Sequence, residues 1–205
     1  MKNILSIAAL LALSFNALAQ QEVKFGAKAG VNFATLSNVS KAEMLPGFYV
    51  GAVAEFKFTE KLSFQPELVY SSQGAKNVYS ETLSNVTSDH HNHDKIAYIN
   101  IPLLAKYYFT KGLSVELGPQ FGLLVQADNK DKITINGSES KQNRDFKDEV
   151  NSFDFAVAAG LAYDISSSLF VNARYNYGVT NVGKSNQYYD ASKNRVTQVG
   201  LGYKF

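Results

Sequence analysis

The chain's three histidines fall within four residues, in Asp89-His90-His91-Asn92-His93-Asp94. Imidazoles beside carboxylates are ligands for zinc, copper or nickel, so His90, His91 and His93 are the candidate metal ligands. The segment reads as a polar loop, which presets no coordination geometry, and the plainer reading is a solvated loop without metal. The same histidines are the available bases for a serine nucleophile. A wall-mounted Ser/His pair needs its histidine on a strand, and the strands expected below contain none. The chain therefore reads as non-enzymatic, with no catalytic residues and no cofactor. Cysteine is absent, which excludes thiol catalysis and thiolate metal sites.

A second set of chemistry-bearing residues is spread along the chain. Lys28, Glu55, Glu67, Lys106, Glu116, Asp154 and Arg174 each sit on the polar side of a segment whose alternate residues are apolar. Gathered into one narrow space, such charges must be paired or hydrogen-bonded. They are expected to form a compensated network. Whether they come together depends on the elements that carry them.

Eight such segments are legible: 24–33, 47–58, 62–73, 96–109, 113–126, 152–163, 169–179 and 195–205. In the first, Phe25, Ala27, Ala29, Val31 and Phe33 alternate with Lys24, Gly26, Lys28, Gly30 and Asn32. Period two is the mark of a strand with one apolar and one polar face. The second, fourth and sixth connections are short turns, 59–61, 110–112 and 164–168. The others, 34–46, 74–95, 127–151 and 180–194, are long and polar. An even strand number with short turns at one end and long loops at the other is the layout of a transmembrane barrel with both termini in the periplasm.

The short turns set a register. Pairing Phe109 with Leu113 puts Tyr107 opposite Val115, Ala105 opposite Leu117, and Lys106 opposite Glu116 as a cross-strand ion pair. Likewise Phe58 pairs with Leu62, Phe56 with Phe64, Tyr163 with Leu169 and Val157 with Tyr175. Three prolines, Pro66, Pro102 and Pro119, fall inside the third, fourth and fifth strands, where a lost ladder hydrogen bond is expected to mark bulges.

Alternation alone does not say which face is inside, since a soluble ligand-binding barrel shares the period. Aromatics near strand ends on the apolar face and glycines on the polar face favour apolar outward. The fold expected is all-β: an eight-stranded antiparallel up-and-down transmembrane β-barrel, apolar face outward, with short periplasmic turns and long extracellular loops. It occupies residues 20–205. Residues 1–19 read as a cleaved signal peptide: Lys2, an apolar run from Ile4 to Leu13, and Ala17-Leu18-Ala19 before Gln20. The formal net charge is +2, which gives no argument for a nucleic-acid partner. Lipid is the partner such a surface demands.

The motifs Phe64-Gln65-Pro66-Glu67-Leu68, Tyr98-Ile99-Asn100-Ile101-Pro102-Leu103-Leu104-Ala105-Lys106-Tyr107 and Gly118-Pro119-Gln120-Phe121-Gly122 resemble those of the PorT-like outer-membrane β-barrel proteins of Gram-negative bacteria. The resemblance spans the whole mature chain. It implies an outer-membrane location and, through the family's founding member, an accessory role in type IX protein export. The terminal Phe205 resembles the signature by which such barrels are handed to their assembly machinery. The competing expectation is a narrow barrel for passage or uptake of a small solute.

Overall fold

The structure, a computed structural model, describes residues 22–39, 42–83, 86–135, 138–184 and 191–205. The expected signal segment lies outside the described residues. Among the described residues nine strands follow one another: β1 (Glu22–Leu36), β2 (Ala42–Lys57), β3 (Leu62–Leu83), β4 (Val86–Tyr108), β5 (Leu113–Ile135), β6 (Ser138–Asp145), β7 (Phe153–Asp164), β8 (Leu169–Gly178) and β9 (Asn194–Lys204). One turn of 3-10 helix, Lys147–Glu149, precedes β7.

All pairings are antiparallel. β1 pairs with both β2 and β9, β4 pairs with β5, and β5 pairs with β7, so eight strands close a ring and β6 stays outside it. Closure leaves no barrel strand with an unpaired edge. Along each wall, Phe25, Leu68, Leu117, Leu161 and Leu201 face out and are more than half exposed. Lys28, Asn32, Glu67, Lys106 and Arg174 face in and are buried. A water-soluble fold distributes these residues the other way round. Charge inside and leucine outside is the stable arrangement where the surroundings are hydrocarbon and the wall satisfies its own backbone.

The observed register matches expectation in the hairpins β2–β3 and β4–β5. Phe56 lies opposite Phe64, Tyr107 opposite Val115, and Lys106 opposite Glu116. In β7–β8 it differs by two residues: Tyr163 meets Val171 and Val157 meets Tyr177. The turn is tighter than expected there, with Ile165 and Ser166 N–H both donating to Leu169 O. An even shift leaves every side chain on its expected face.

Three of the long connections are largely strand, contrary to expectation: within 34–46, β1 runs on to Leu36 and β2 begins at Ala42, and 74–95 and 127–151 are taken up as well. β3 and β4 run on past the barrel as a paired hairpin, Gly74 opposite Lys95 up to Leu83 opposite Val86. The far half of β5 pairs with β4 on one side and with β6 on the other, from Asp128 opposite Asp145 to Ile135 opposite Ser138. The result is a sheet standing above the rim. Two irregularities mark its root. The β4–β5 register slips by one residue at Val125, between the pairs Tyr98–Leu124 and Ala97–Gln126. The β2–β3 register shifts between Met44 and Tyr49, close to Gly74. That residue has φ +131°, and a Cβ there would run into the Asp94 carbonyl.

The prolines make no bulge. Pro66 lies opposite Leu103, Pro102 opposite Gln120 and Pro119 opposite Val157; the ladder drops two pairs beside Pro66 and beside Pro102, yet the register keeps its phase across each. The wall tolerates the missing N–H without an inserted residue.

Above the lumen, Leu36, Ile96, Tyr98, Phe146, Val150 and Val182 form a small apolar core. Phe146 and Val150 flank the 3-10 turn on either side. Backbone bonds from Lys184 N to Glu149 O and from Asn151 N to Val182 O tie the cap together.

Candidate functional site

Strand parity puts the charges on the inner face, but their partners come from across the lumen. Arg174 on β8 donates from Nη1 and Nη2 to the two Glu67 oxygens on β3, both at 2.8 Å, and from Nε to Glu116 Oε1 on β5 at 2.6 Å. Lys28 Nζ on β1 lies 2.6 Å from Glu67 Oε2, off the ideal hydrogen-bond angle. These side chains are at most 1% exposed. A guanidinium presents its N–H groups as a planar fork, which fits a carboxylate edge bidentately.

A second cluster lies nearer the short turns. Glu55 on β2 accepts from Ser63 Oγ at 2.7 Å and from Lys204 Nζ at 2.6 Å, and also from the Tyr108 hydroxyl. Lys204 reaches Asp164 Oδ1 at 3.0 Å. Gln65 joins the clusters: its Nε2 donates to Glu67 Oε1 at 2.7 Å and its Oε1 accepts from Lys106 Nζ at 3.1 Å. Lys106 also stands 3.7 Å from Glu55 Oε1. The ammonium groups of Lys204 and Lys106 lie 5.0 and 5.9 Å from the Phe170 ring centroid, within cation–π range. The network opens at the short-turn mouth into a cavity of about 200 Å³, lined by Lys24, Lys57, Lys111 and Asp164 among others.

Of the seven expected lumen charges, six are drawn into this network. The expected Lys106–Glu116 ion pair is not made. The two residues share a face and a register position, but Lys106 turns to Gln65 and Glu55 while Arg174 takes Glu116. Asp154 lies at the opposite end of the lumen and accepts from Thr180 Oγ1 at 3.1 Å. Sequence reasoning missed Lys204, Asp164 and Tyr108. Lys204 was recoverable, since it alternates with the outward Tyr203 and Phe205.

Glycines make room for the larger lumen side chains. Tyr49, 1% exposed, lies across Gly30 and Gly200 and donates to Asn172 Oδ1 at 3.2 Å. A Cβ on Gly200 would meet the Tyr49 hydroxyl and the Ala29 carbonyl.

The histidines lie on a strand, not in a loop. His90, His91 and His93 belong to the far part of β4, opposite Ile133, Lys132 and Lys130 of β5. That part of β4 stands above the barrel wall, and among the described residues no three His, Cys, Asp or Glu side chains are grouped to hold a metal. His93 borders a shallow groove of about 300 Å³ with Lys130, Lys132, Lys141 and Asn143. Nearby, a hydrogen bond from Lys132 lowers the pKa of the exposed Glu139 carboxyl.

A closed antiparallel ring with a lipid-facing apolar surface and a charge-filled interior defines an integral membrane β-barrel protein. The family model described as outer membrane protein beta-barrel domain matches residues 18–184. The chain belongs to that family, and its place is the outer membrane. Among solved structures it is similar to Ail, the attachment invasion locus protein of Yersinia pestis, at 15% identity and TM-score 0.44, over 90% of this chain and 99% of that one. Neisserial surface protein A is 18% identical with TM-score 0.44, over 89% and 97%. OprG of Pseudomonas aeruginosa is 13% identical with TM-score 0.43, over 90% and 97%. No curated protein sequence matches.

Proposed function

We propose that this chain is a non-enzymatic, non-conducting barrel that serves the outer membrane as a structural part or as an accessory to protein export, in the manner of PorT-like proteins. In this reading residues 1–19 are removed on export and Phe205 addresses the chain to the barrel-assembly machinery. The observation that carries the proposal is the crossing of the lumen by Arg174, Glu67, Lys28 and Glu116, all buried and mutually compensated. A solute would have to part these pairs, and separating buried partners is costly. The apolar cap of Phe146, Val150 and Val182 covers the other end. With the interior filled, contact surfaces are left as the working parts: the sheet above the rim, and the short turns.

Deleting the gene and comparing the secreted proteome with small-solute permeability tests the proposal. The expected result is an altered secreted or envelope proteome with unchanged permeability. Loss of uptake of a small solute with intact secretion would overturn it in favour of a passage barrel. Purified protein in planar bilayers is expected to show no discrete conductance.

A further inference from the structure

Asp154 is the odd charge of the lumen. Lys28, Lys106, Arg174 and Lys204 balance Glu55, Glu67, Glu116 and Asp164 in the network. Asp154, 4% exposed, has no cation within ion-pair distance among the described residues. Arg195 on β9 is engaged elsewhere. Its guanidinium stacks 3.7 Å from the Tyr177 ring centroid and donates to the Gly178 and Asn194 carbonyls. A carboxylate buried without compensation either takes up a proton or takes up a cation.

The surroundings favour the cation. Asn100, Gly122 and Asp154 form one row across β4, β5 and β7. With no side chain at Gly122, the Asn100 Oδ1 atom and the Asp154 side chain converge over it. A Cβ built on Gly122 would lie 2.7 Å from Asn100 Oδ1 and 3.2 Å from Asp154 Cβ. Asn100 is 1% exposed, and neither atom of its amide has a hydrogen-bond partner among the described residues. The Tyr98 hydroxyl beside it is likewise buried without a partner. The Asn194 amide lies near both Tyr98 and Asp154 without a well-formed hydrogen bond. Thr180 fixes the carboxylate, since its Oγ1 accepts from Phe155 N–H at 2.8 Å while donating to Asp154.

We infer that the capped end of the lumen is a binding site for one hard monovalent cation, sodium or potassium, held by the Asp154 carboxylate and the Asn100 amide oxygen, with the Tyr98 hydroxyl supplying a further neutral oxygen. A single carboxylate among neutral oxygens balances one positive charge, and the ion-paired network deeper in the lumen already holds as many cations as anions. Oxygen donors without imidazole or thiolate suit a hard ion rather than a transition metal. The ion completes the charge balance of the interior and ties β4 to β7 beneath the apolar cap.

The test is thermal unfolding of the folded barrel in detergent at pH 8, in sodium or potassium chloride against N-methylglucamine chloride of the same ionic strength. The expected result is a saturable rise of about 2 °C or more with the alkali ion, abolished in Asp154→Asn. In parallel, wild-type crystals soaked in thallium(I) are expected to show an anomalous peak between Asp154 and Asn100. No ion-specific shift in the wild type, an equal shift in Asp154→Asn, or no thallium peak would each overturn the inference and leave Asp154 a buried neutral acid. The thallium measurement stands even where the variant fails to fold.

Discussion

Replacing Arg174 with methionine keeps most of its buried length and removes its charge. Three hydrogen bonds vanish, two to Glu67 and one to Glu116. Glu67 keeps Lys28 at 2.6 Å. Among the described residues Glu116 keeps no ion pair, and its Oε2 already lacks a partner. Breaking a buried pair by deleting one partner costs about 3–5 kcal/mol, because the remaining charge is stranded. Arg174→Met is expected to lose that much. Arg174→Met combined with Glu116→Gln removes one charge of each sign and leaves the Lys28–Glu67 pair, so it is expected to be less unstable than the two single effects summed, by about 0.5–3 kcal/mol. Urea unfolding in phospholipid vesicles measures both, followed by circular dichroism and by the gel mobility of the folded band, since the chain has no tryptophan to report by fluorescence. An Arg174→Met loss below about 1 kcal/mol, against the 3–5 expected, or strict additivity in the double variant, would refute the network.

Other consequences follow from the same geometry. Leu117, 58% exposed on the outward face, is expected to cost about 2–4 kcal/mol as Leu117→Arg, whereas Phe109→Arg beside the short turn costs about 0–1; equal costs in vesicle unfolding would argue against a lipid belt. Gly200→Val drives a side chain into Tyr49, and overpacking of that kind is expected to destabilise by about 1–3 kcal/mol in the same assay. Because Pro66, Pro102 and Pro119 each remove a donor from neighbouring ladders, amides beside them in β3, β4 and β5 are expected to exchange faster in micelles than those of β1 and β9. Uniform protection would show that the wall is not weakened there.

The barrel was legible because lipid on one side and a polar interior on the other force every strand in the membrane to alternate. Phe25 to Phe33 and Leu113 to Leu123 carry that signature without interruption. Above the membrane the demand lapses. Residues 138–145, Ser-Glu-Ser-Lys-Gln-Asn-Arg-Asp, pair as β6 although residues 139–145 are all exposed and polar, so no period distinguishes them from a loop. The far parts of β3 and β4, 74–83 and 86–95, likewise show no regular alternation in sequence, which is why the histidines looked like loop residues. Within the lumen, parity placed each charge on the inner face, but partnership crosses the barrel. Arg174 meets Glu67 from β8 to β3, a contact that no hairpin register encodes, and it also takes Glu116 from the expected pair with Lys106.

The claim on which all else rests is that the apolar face looks into lipid. Since the chain has no native cysteine, single cysteines at positions 113–123 of β5 can each carry a nitroxide in a lipid bilayer. Power-saturation spectra are expected to show a period of two along the strand. Labels at 113, 115, 117, 119, 121 and 123 should be open to oxygen and closed to a water-soluble nickel chelate, and labels at even positions closed to both. Oxygen access at the even positions, or no alternation at all, would contradict it.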